Sequence, residues 1–287
     1  MQRLLVTGAS GFLGSRIVLY YKDRYEVIAP THSEMDITDA VAIEKFFDEI
    51  KPDVVVHCAA ISDTGRCQRE PEKSFEMNVR GSVNVASAAW KIGAKCIMCS
   101  SDQVYFGSKQ EEAHNEDEIL VPCTVYGRDK LIAEQECLKA HPECICLRLS
   151  WMYDTKVLRV GEHGNFMSNF MDKVENADDF EYAIHDVRGI TDVNEVVLNL
   201  EKLFHAPGGI YNFGSPNDKN MYDTMKAVFH NLGLDISKLK MNETAFKDSP
   251  RNMSMCQKKA VEQGVLFSTT IDNLTKNIGQ NLNICER

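Results

Sequence analysis

Tyr126 and Lys130 stand four residues apart in Thr124-Val125-Tyr126-Gly127-Arg128-Asp129-Lys130, a spacing that puts both side chains on one face of a helix. A phenol is a weak acid at neutral pH, and an ammonium one turn away favours its phenolate, so the pair reads as an acid–base centre. Ser100-Ser101-Asp102-Gln103-Val104-Tyr105 follows an apolar run and places hydroxyls where a strand ends. Near the start, Gly8, Gly11 and Gly14 of Thr7-Gly8-Ala9-Ser10-Gly11-Phe12-Leu13-Gly14 are spaced GxxGxxG. Glycines at this spacing let a strand turn sharply into a helix and let the backbone approach a pyrophosphate with no Cβ in the way. A phosphate-binding loop with a hydroxyl and an acid–base pair suits nicotinamide-dependent hydride transfer, with Tyr126 moving the proton.

These residues need elements to hold them. Arg3–Thr7 reads as a strand, the amphipathic stretch Ser15–Lys22 as a helix and Glu26–Ala29 as a second strand. Asp39 caps a helical pattern that Lys51-Pro52 ends, and Val54–His57 is a β-branched run of the fully buried type. The spacing predicts one long helix over Ser74–Ile92, closed by Gly93, then strands over Lys95–Ser100 and Cys144–Arg148 with a helix over Thr124–Lys139 between them. Alternating strands and helices, with apolar runs too continuous to be half-solvated, predict an α/β fold with a doubly wound parallel sheet. The second half is less regular, with helices expected over Asn165–Asn176, Val193–Phe204, Met221–Leu232 and Thr269–Leu282 and short strands near Phe180–Ile184 and Gly209–Asn212. The expected division is a dinucleotide-binding domain over 1–150 and a smaller substrate-binding lobe over 151–287, interleaved with the end of the sheet.

A formal charge of −10 argues against nucleic acid or an anionic membrane as the main partner. No apolar stretch approaches the ~18 residues of a membrane span. Met1-Gln2-Arg3 runs into Leu4-Leu5-Val6, which Thr7-Gly8 ends too early for a secretion signal, so a cytoplasmic location is expected. Of the ten cysteines, Cys96 with Cys99 and Cys144 with Cys146 resemble metal spacings. Both pairs lie in strands, where residues three apart face opposite ways, so the expectation is buried thiols in a reducing compartment and no metal site. The strand over Glu26–Ala29 leads into Pro30-Thr31-His32-Ser33, with Glu34 and Asp36 only later. Thr31 and His32 tolerate a 2′-phosphate, so NADPH is expected as the preferred cofactor and NADH as the alternative. Asp36-Ile37 is expected beside the adenine.

Thr7–Gly14, His57-Cys58-Ala59-Ala60, Asn78, Ser100–Tyr105 and Tyr126–Lys130, in this order, resemble the extended short-chain dehydrogenase/reductase family, whose nucleotide domain is the Rossmann fold. Pro122–Glu134, Arg148–Tyr153 and Gly209–Asn212 are similar to its dTDP-4-dehydrorhamnose reductase branch. The resemblance implies that Tyr126 is the general acid, that Lys130 tunes it and holds the nicotinamide ribose, and that Ser101 binds the substrate carbonyl. It implies that Gly8, Ser10, Gly11, Phe12, Leu13 and Gly14 line the pyrophosphate, that Asp36 and Ile37 lie at the adenine, and that Ala59, Ala60, Ile61 and Asn78 follow the dinucleotide along the strand ends. Tyr105 and Trp151 would border the sugar. Arg66, Arg69, Arg188 and Arg251 offer forks to a diphosphate, Arg188 foremost, or are ordinary surface charges. Trp151 reads equally as core packing, and His57 as a satisfied core histidine. Ser62–Glu70 and Asp186–Thr191 depart from the branch where the family approaches its substrate, so the sugar is left open. The expected activity is NAD(P)H-dependent reduction of a 4-keto nucleotide-sugar by a cytoplasmic enzyme that pairs as a homodimer. An epimerase or dehydratase, or a non-catalytic regulatory subunit on the same fold, are the alternatives.

Overall fold

The computed structural model describes residues 1–158, 164–176 and 178–284. The first half places β1 (Arg3–Thr7), α1 (Phe12–Tyr21), β2 (Glu26–Ile28), α2 (Ala40–Ile50) and β3 (Val54–His57) in succession. Then come α3 (Thr64–Arg69), α4 (Pro71–Phe75), α5 (Gly81–Lys91), β4 (Lys95–Ser101), α6 (Val125–Ala140) and β5 (Ile145–Leu149). The second half holds β6 (Trp151–Tyr153), α7 (Phe166–Glu175), β7 (Phe180–Ala183), β8 (Asp186–Arg188), β9 (Ile190–Asp192), α8 (Val193–Leu200) and β10 (Gly209–Phe213). It closes with α9 (Met221–Leu232), β11 (Leu239–Asn242), β12 (Arg251–Met253), α10 (Lys258–Val261) and α11 (Thr270–Asn281).

Six strands form one parallel sheet in the order β10-β5-β4-β3-β1-β2. This is the doubly wound arrangement, with β10 arriving from the second half of the chain. Alternate residues feed opposite faces. Leu4 and Val6 pack toward α1 and α8, and Leu5 toward α2 and α5. Cys99 and Cys96 divide between these two layers, which keeps them apart. A third apolar cluster, built on Tyr153, Phe170, Phe229 and Leu274, belongs to the second half. No helix among the described residues is long and apolar enough to cross a membrane.

Two helix starts differ from expectation. The first helix begins at Phe12, because Gly11 adopts an extended cap (ψ 175°) directly after the turn. The single helix over Ser74–Ile92 is instead α4, a π-helical turn at Glu76–Arg80, then α5. The wider turn carries Asn78, whose amide is drawn onto the backbone of Ile61. β6, β8, β9, β11 and β12 were not expected. At three or four residues each they are too short to display a period of two, and they are held only by pairing β6 with β9, β8 with β12 and β7 with β11.

Candidate active site

The carboxyl ends of β1, β3 and β4 meet where the strand order reverses, the place where open α/β sheets bind ligands. Thr124 caps α6 by accepting the Gly127 amide at 3.0 Å, so Tyr126 falls in the first turn of the helix and Lys130 one turn on. Both are buried against the end of β4. The Ser101 hydroxyl lies close enough to the Tyr126 phenol to act on its acidity. Lys130 Nζ donates to the Cys99 carbonyl at 2.8 Å and lies 5.8 Å from the Tyr126 ring centroid. The fold thus brings Ser101, Tyr126 and Lys130 to one place.

The electrostatics correct one expectation. Burial holds the Tyr126 phenol above its ordinary value, and Asp102, Cys67 and Cys99 add to the effect, while the Ser101 hydroxyl opposes it. Desolvation outweighs any help from the ammonium, so the resting group is a protonated phenol. Burial also pushes Lys130 down. Its position is fixed from behind. Glu134, one turn further along α6, accepts Arg148 Nε at 3.0 Å and Nη2 at 2.7 Å, together with the Ser100 hydroxyl. This fully buried pair bolts α6 to β4 and β5. Sequence reasoning missed it, although both residues lie within quoted motifs.

The glycine loop fits a dinucleotide. Gly8 has φ +65°, and a Cβ there would come within 2.6 Å of the Ala59 amide nitrogen. A Cβ on Gly14 would overlap the Gly8 carbonyl. α1 has no side-chain cap and no acidic residue in its first turn, so its amides and positive dipole end face exposed Ser10 and Gly11, with Phe12 half-buried beside them. Leu13 is buried behind the loop. Thr7 Oγ1 ties the loop to β3 through His57 Nδ1 at 2.7 Å and the Ala59 amide at 3.2 Å. His57 Nε2 meets Ser82 Oγ at 3.0 Å, so the histidine is satisfied in the core.

Ala59 and Ala60 line the strand end half-buried. Asn78 is wholly buried, its amide committed to Ile61 N, Ile61 O and Ser74, so it fixes this loop and does not face a ligand. Ile37 is likewise buried, packed on Gly81, and forms a floor beneath half-exposed Asp36, whose carboxylate accepts Thr38 N and Oγ1. Thr31 and His32 are exposed after β2. The fold brings Glu34 back onto Thr31, accepting its amide at 2.7 Å and its hydroxyl at 2.8 Å, which puts an ionised carboxylate at the strand end after all.

On the substrate side, Tyr105 is a correction. Fully buried, it donates to Asn212 Oδ1 at 2.7 Å, accepts Arg148 Nη1 at 2.8 Å and stacks on His114, so it cannot border a sugar. Trp151 is 39 % exposed, which removes it from the core. The Arg188 guanidinium lies 4.9 Å from its ring centroid and donates to Asp102 at 3.2 Å, with its buried Nε unpartnered. Asp102 in turn accepts Ser101 Oγ at 3.2 Å, linking the arginine to the Ser101 hydroxyl. Arg251 is bidentate to Asp186 and stacked on Phe246, and Arg66 pairs with Glu70 at the surface. Among the described residues no cluster of three or more His, Cys, Asp or Glu is arranged to hold a metal.

The chain matches the family described as RmlD substrate binding domain over residues 1–277. It is 32 % identical over 239 residues to the dTDP-4-dehydrorhamnose reductase of Aggregatibacter actinomycetemcomitans, covering 80 % of this chain and 79 % of the relative. A dTDP-4-dehydrorhamnose reductase from Bacillus anthracis str. Ames, solved in complex with NADP, shares the fold at a TM-score of 0.84 and 22 % identity, covering 98 % of this chain and 99 % of that one. A relative of another kind, methionine adenosyltransferase 2 subunit beta of Xenopus tropicalis, is 28 % identical and covers 83 % of this chain and 75 % of its own.

Proposed function

We propose that this chain, which belongs to the RmlD substrate binding domain family, reduces the 4-keto group of a nucleotide-sugar with a nicotinamide dinucleotide as hydride donor. The observation that carries the reading is the burial of Ser101 at the end of β4 together with Tyr126 and Lys130, one turn apart on α6, with Lys130 anchored on the Cys99 carbonyl. Bound in the glycine cradle, the dinucleotide supplies a hydride to the keto carbon. Tyr126, kept protonated by its burial, gives its proton to the ketone oxygen. Ser101 donates to the same oxygen, so two fixed hydroxyls meet the charge that develops there. Lys130, anchored on the Cys99 carbonyl, holds the nicotinamide ribose.

NADPH is the preferred donor. Thr31, His32 and Ser33 offer hydroxyls and an imidazole to a 2′-phosphate, and the fold relative from B. anthracis carries NADP. Glu34 on Thr31 keeps NADH an effective alternative. In this reading residues 1–150 bind the dinucleotide and 151–287 the sugar nucleotide, with Trp151 against the sugar and Arg188 toward the diphosphate. A reducing, cytoplasmic setting suits its buried free thiols. We further read it as a homodimer, paired through the groove between α4 and α6 that Pro71, Phe75, Val125 and Ile132 line; sedimentation at micromolar concentration would give a monomer if this is wrong.

The direct test is NADPH oxidation with a dTDP-4-keto-6-deoxy sugar. Tyr126→Phe is expected to lose at least ~100-fold in kcat, the usual reach of a positioned acid. No NADPH loss with any keto-sugar nucleotide refutes the reading. A second reading, a regulatory subunit, is favoured by the methionine adenosyltransferase relative; it predicts that Tyr126→Phe leaves the biological activity intact.

A further inference from the structure

β3 and β4 run side by side with His57 opposite Met98, and the next residue on each is a cysteine. Cys58 is half-buried, Cys99 is 9 % exposed, and their sulfurs lie 3.6 Å apart. Both sulfurs belong to the apolar layer that contains Ala9 and Phe12 of the glycine loop. We propose that Cys58 and Cys99 are an oxidative modification site, at which a hydroperoxide forms a reversible disulfide that shuts the dinucleotide cradle.

The surroundings favour Cys99 as the attacking sulfur. The Cys58 thiol and the Lys130 ammonium both lie beside it, and together they hold the Cys99 thiol below its ordinary range despite burial. The Cys99 thiolate attacks one peroxide oxygen, and the O–O bond breaks. The departing hydroxide takes up the proton that Cys99 lost and leaves as water. Cys58 then attacks the resulting sulfenic sulfur, the S–O bond breaks, and a second water leaves with the Cys58 proton. Two thiols are oxidised and one peroxide is reduced to two waters.

A disulfide draws the two sulfurs from 3.6 Å to ~2.05 Å and fixes the dihedral about the new bond, which turns both side chains and strains the residues that carry them. The backbone next to both cysteines is tightly held. Cys58 continues directly into Ala59, whose backbone packs on Gly8 without room for a Cβ and whose amide is tied to Thr7. The Cys99 carbonyl is the anchor of Lys130. Strain at the cross-link therefore reaches the glycine turn and the lysine together, and a bound dinucleotide, lying over the same strand ends, should slow its formation.

The functional half of this proposal rests on the dinucleotide site proposed above, whereas the cross-link can be mapped without it. Purified full-length protein is treated with hydrogen peroxide, alkylated and analysed by peptide mass spectrometry, and NADPH binding is followed by fluorescence. The expected result is a Cys58–Cys99 cross-linked peptide that has lost two hydrogens, formed more slowly with NADPH present. NADPH affinity should weaken at least ~10-fold and recover with dithiothreitol, the scale of ~1.4 kcal/mol. Cys58→Ala should bind NADPH before and after peroxide alike. Cys58→Ser, checked for an unchanged melting point, guards against a folding defect. A cross-link between other cysteines, such as exposed Cys123 with Cys256, overturns the site. A Cys58–Cys99 bridge that leaves NADPH affinity unchanged overturns the switch. Failure of the untreated protein to bind any dinucleotide refutes the proposed function instead, and is told apart by the peptide map.

Discussion

Removing the arginine of the buried Arg148–Glu134 pair should damage both stability and catalysis. Arg148 is 1 % exposed and Glu134 wholly buried, and the guanidinium also donates to the Tyr105 hydroxyl and the Glu116 carbonyl. Arg148→Met keeps most of the volume but leaves the Glu134 carboxylate with only the Ser100 hydroxyl as partner. Breaking such a pair from one side costs about 3–5 kcal/mol. In a chain of this size that lowers the melting temperature on the order of 10 °C. The double variant Arg148→Met with Glu134→Leu removes the stranded charge and should lose at least ~2 kcal/mol less than the sum of the two single changes. Urea unfolding of the four proteins at pH 7 measures the cycle. Because α6 carries Lys130 one turn and Tyr126 two turns ahead of Glu134, kcat should fall in Arg148→Met before KM rises. Strict additivity, or a loss under ~1 kcal/mol for Arg148→Met, would refute the assignment of this pair as the bolt behind the site.

Glu34→Gln should raise the ratio of kcat/KM for NADPH over NADH roughly three- to tenfold, the range of one screened charge contact; an unchanged ratio means that the carboxylate on Thr31 does not face the ribose. For His57, burial pushes the imidazole down to about 3 from an ordinary 6.5. The unfolded chain therefore takes up a proton in this window that the folded chain refuses, so stability is complete above pH 6.5 and falls as the pH drops toward 3. His57→Gln should remove about 1.4 kcal/mol per pH unit of that slope between pH 6 and 4, read by urea unfolding, and parallel slopes in the two proteins count against it.

The chemistry-bearing motifs were legible because each is local. A glycine loop between strand and helix, and two side chains one helical turn apart, declare themselves within a few residues. Tyr105 misled for the opposite reason: it sits in the motif that ends β4, but whether it faces a ligand or the core depends on Asn212, more than a hundred residues away. Asp102 was quoted without a role because its partner Arg188 lies on a three-residue strand with no periodic signal. Glu34 was read as arriving too late to matter, since the hydrogen bonds that return it to Thr31 are a property of the turn and not of the spacing. The acid strength of Tyr126 was inferred from a neighbour's charge, but desolvation, invisible in sequence, has the larger effect.

The place of β10 in the sheet bears on how this chain emerges from the ribosome. β5 ends at Leu149 and its outer partner β10 ends at Phe213, 64 residues later (213 − 149). At ~5–20 residues per second, that edge waits roughly 3–13 s for its neighbour to be synthesised. During that interval the Ile145–Leu149 edge presents unpaired amides and carbonyls to any passing strand. A chain cut after residue 150 would keep that edge open permanently. The sheet begun by the first half of the chain is thus finished only by the half that follows it, and newly made fragments ending between these two strands should be the ones that chaperones hold.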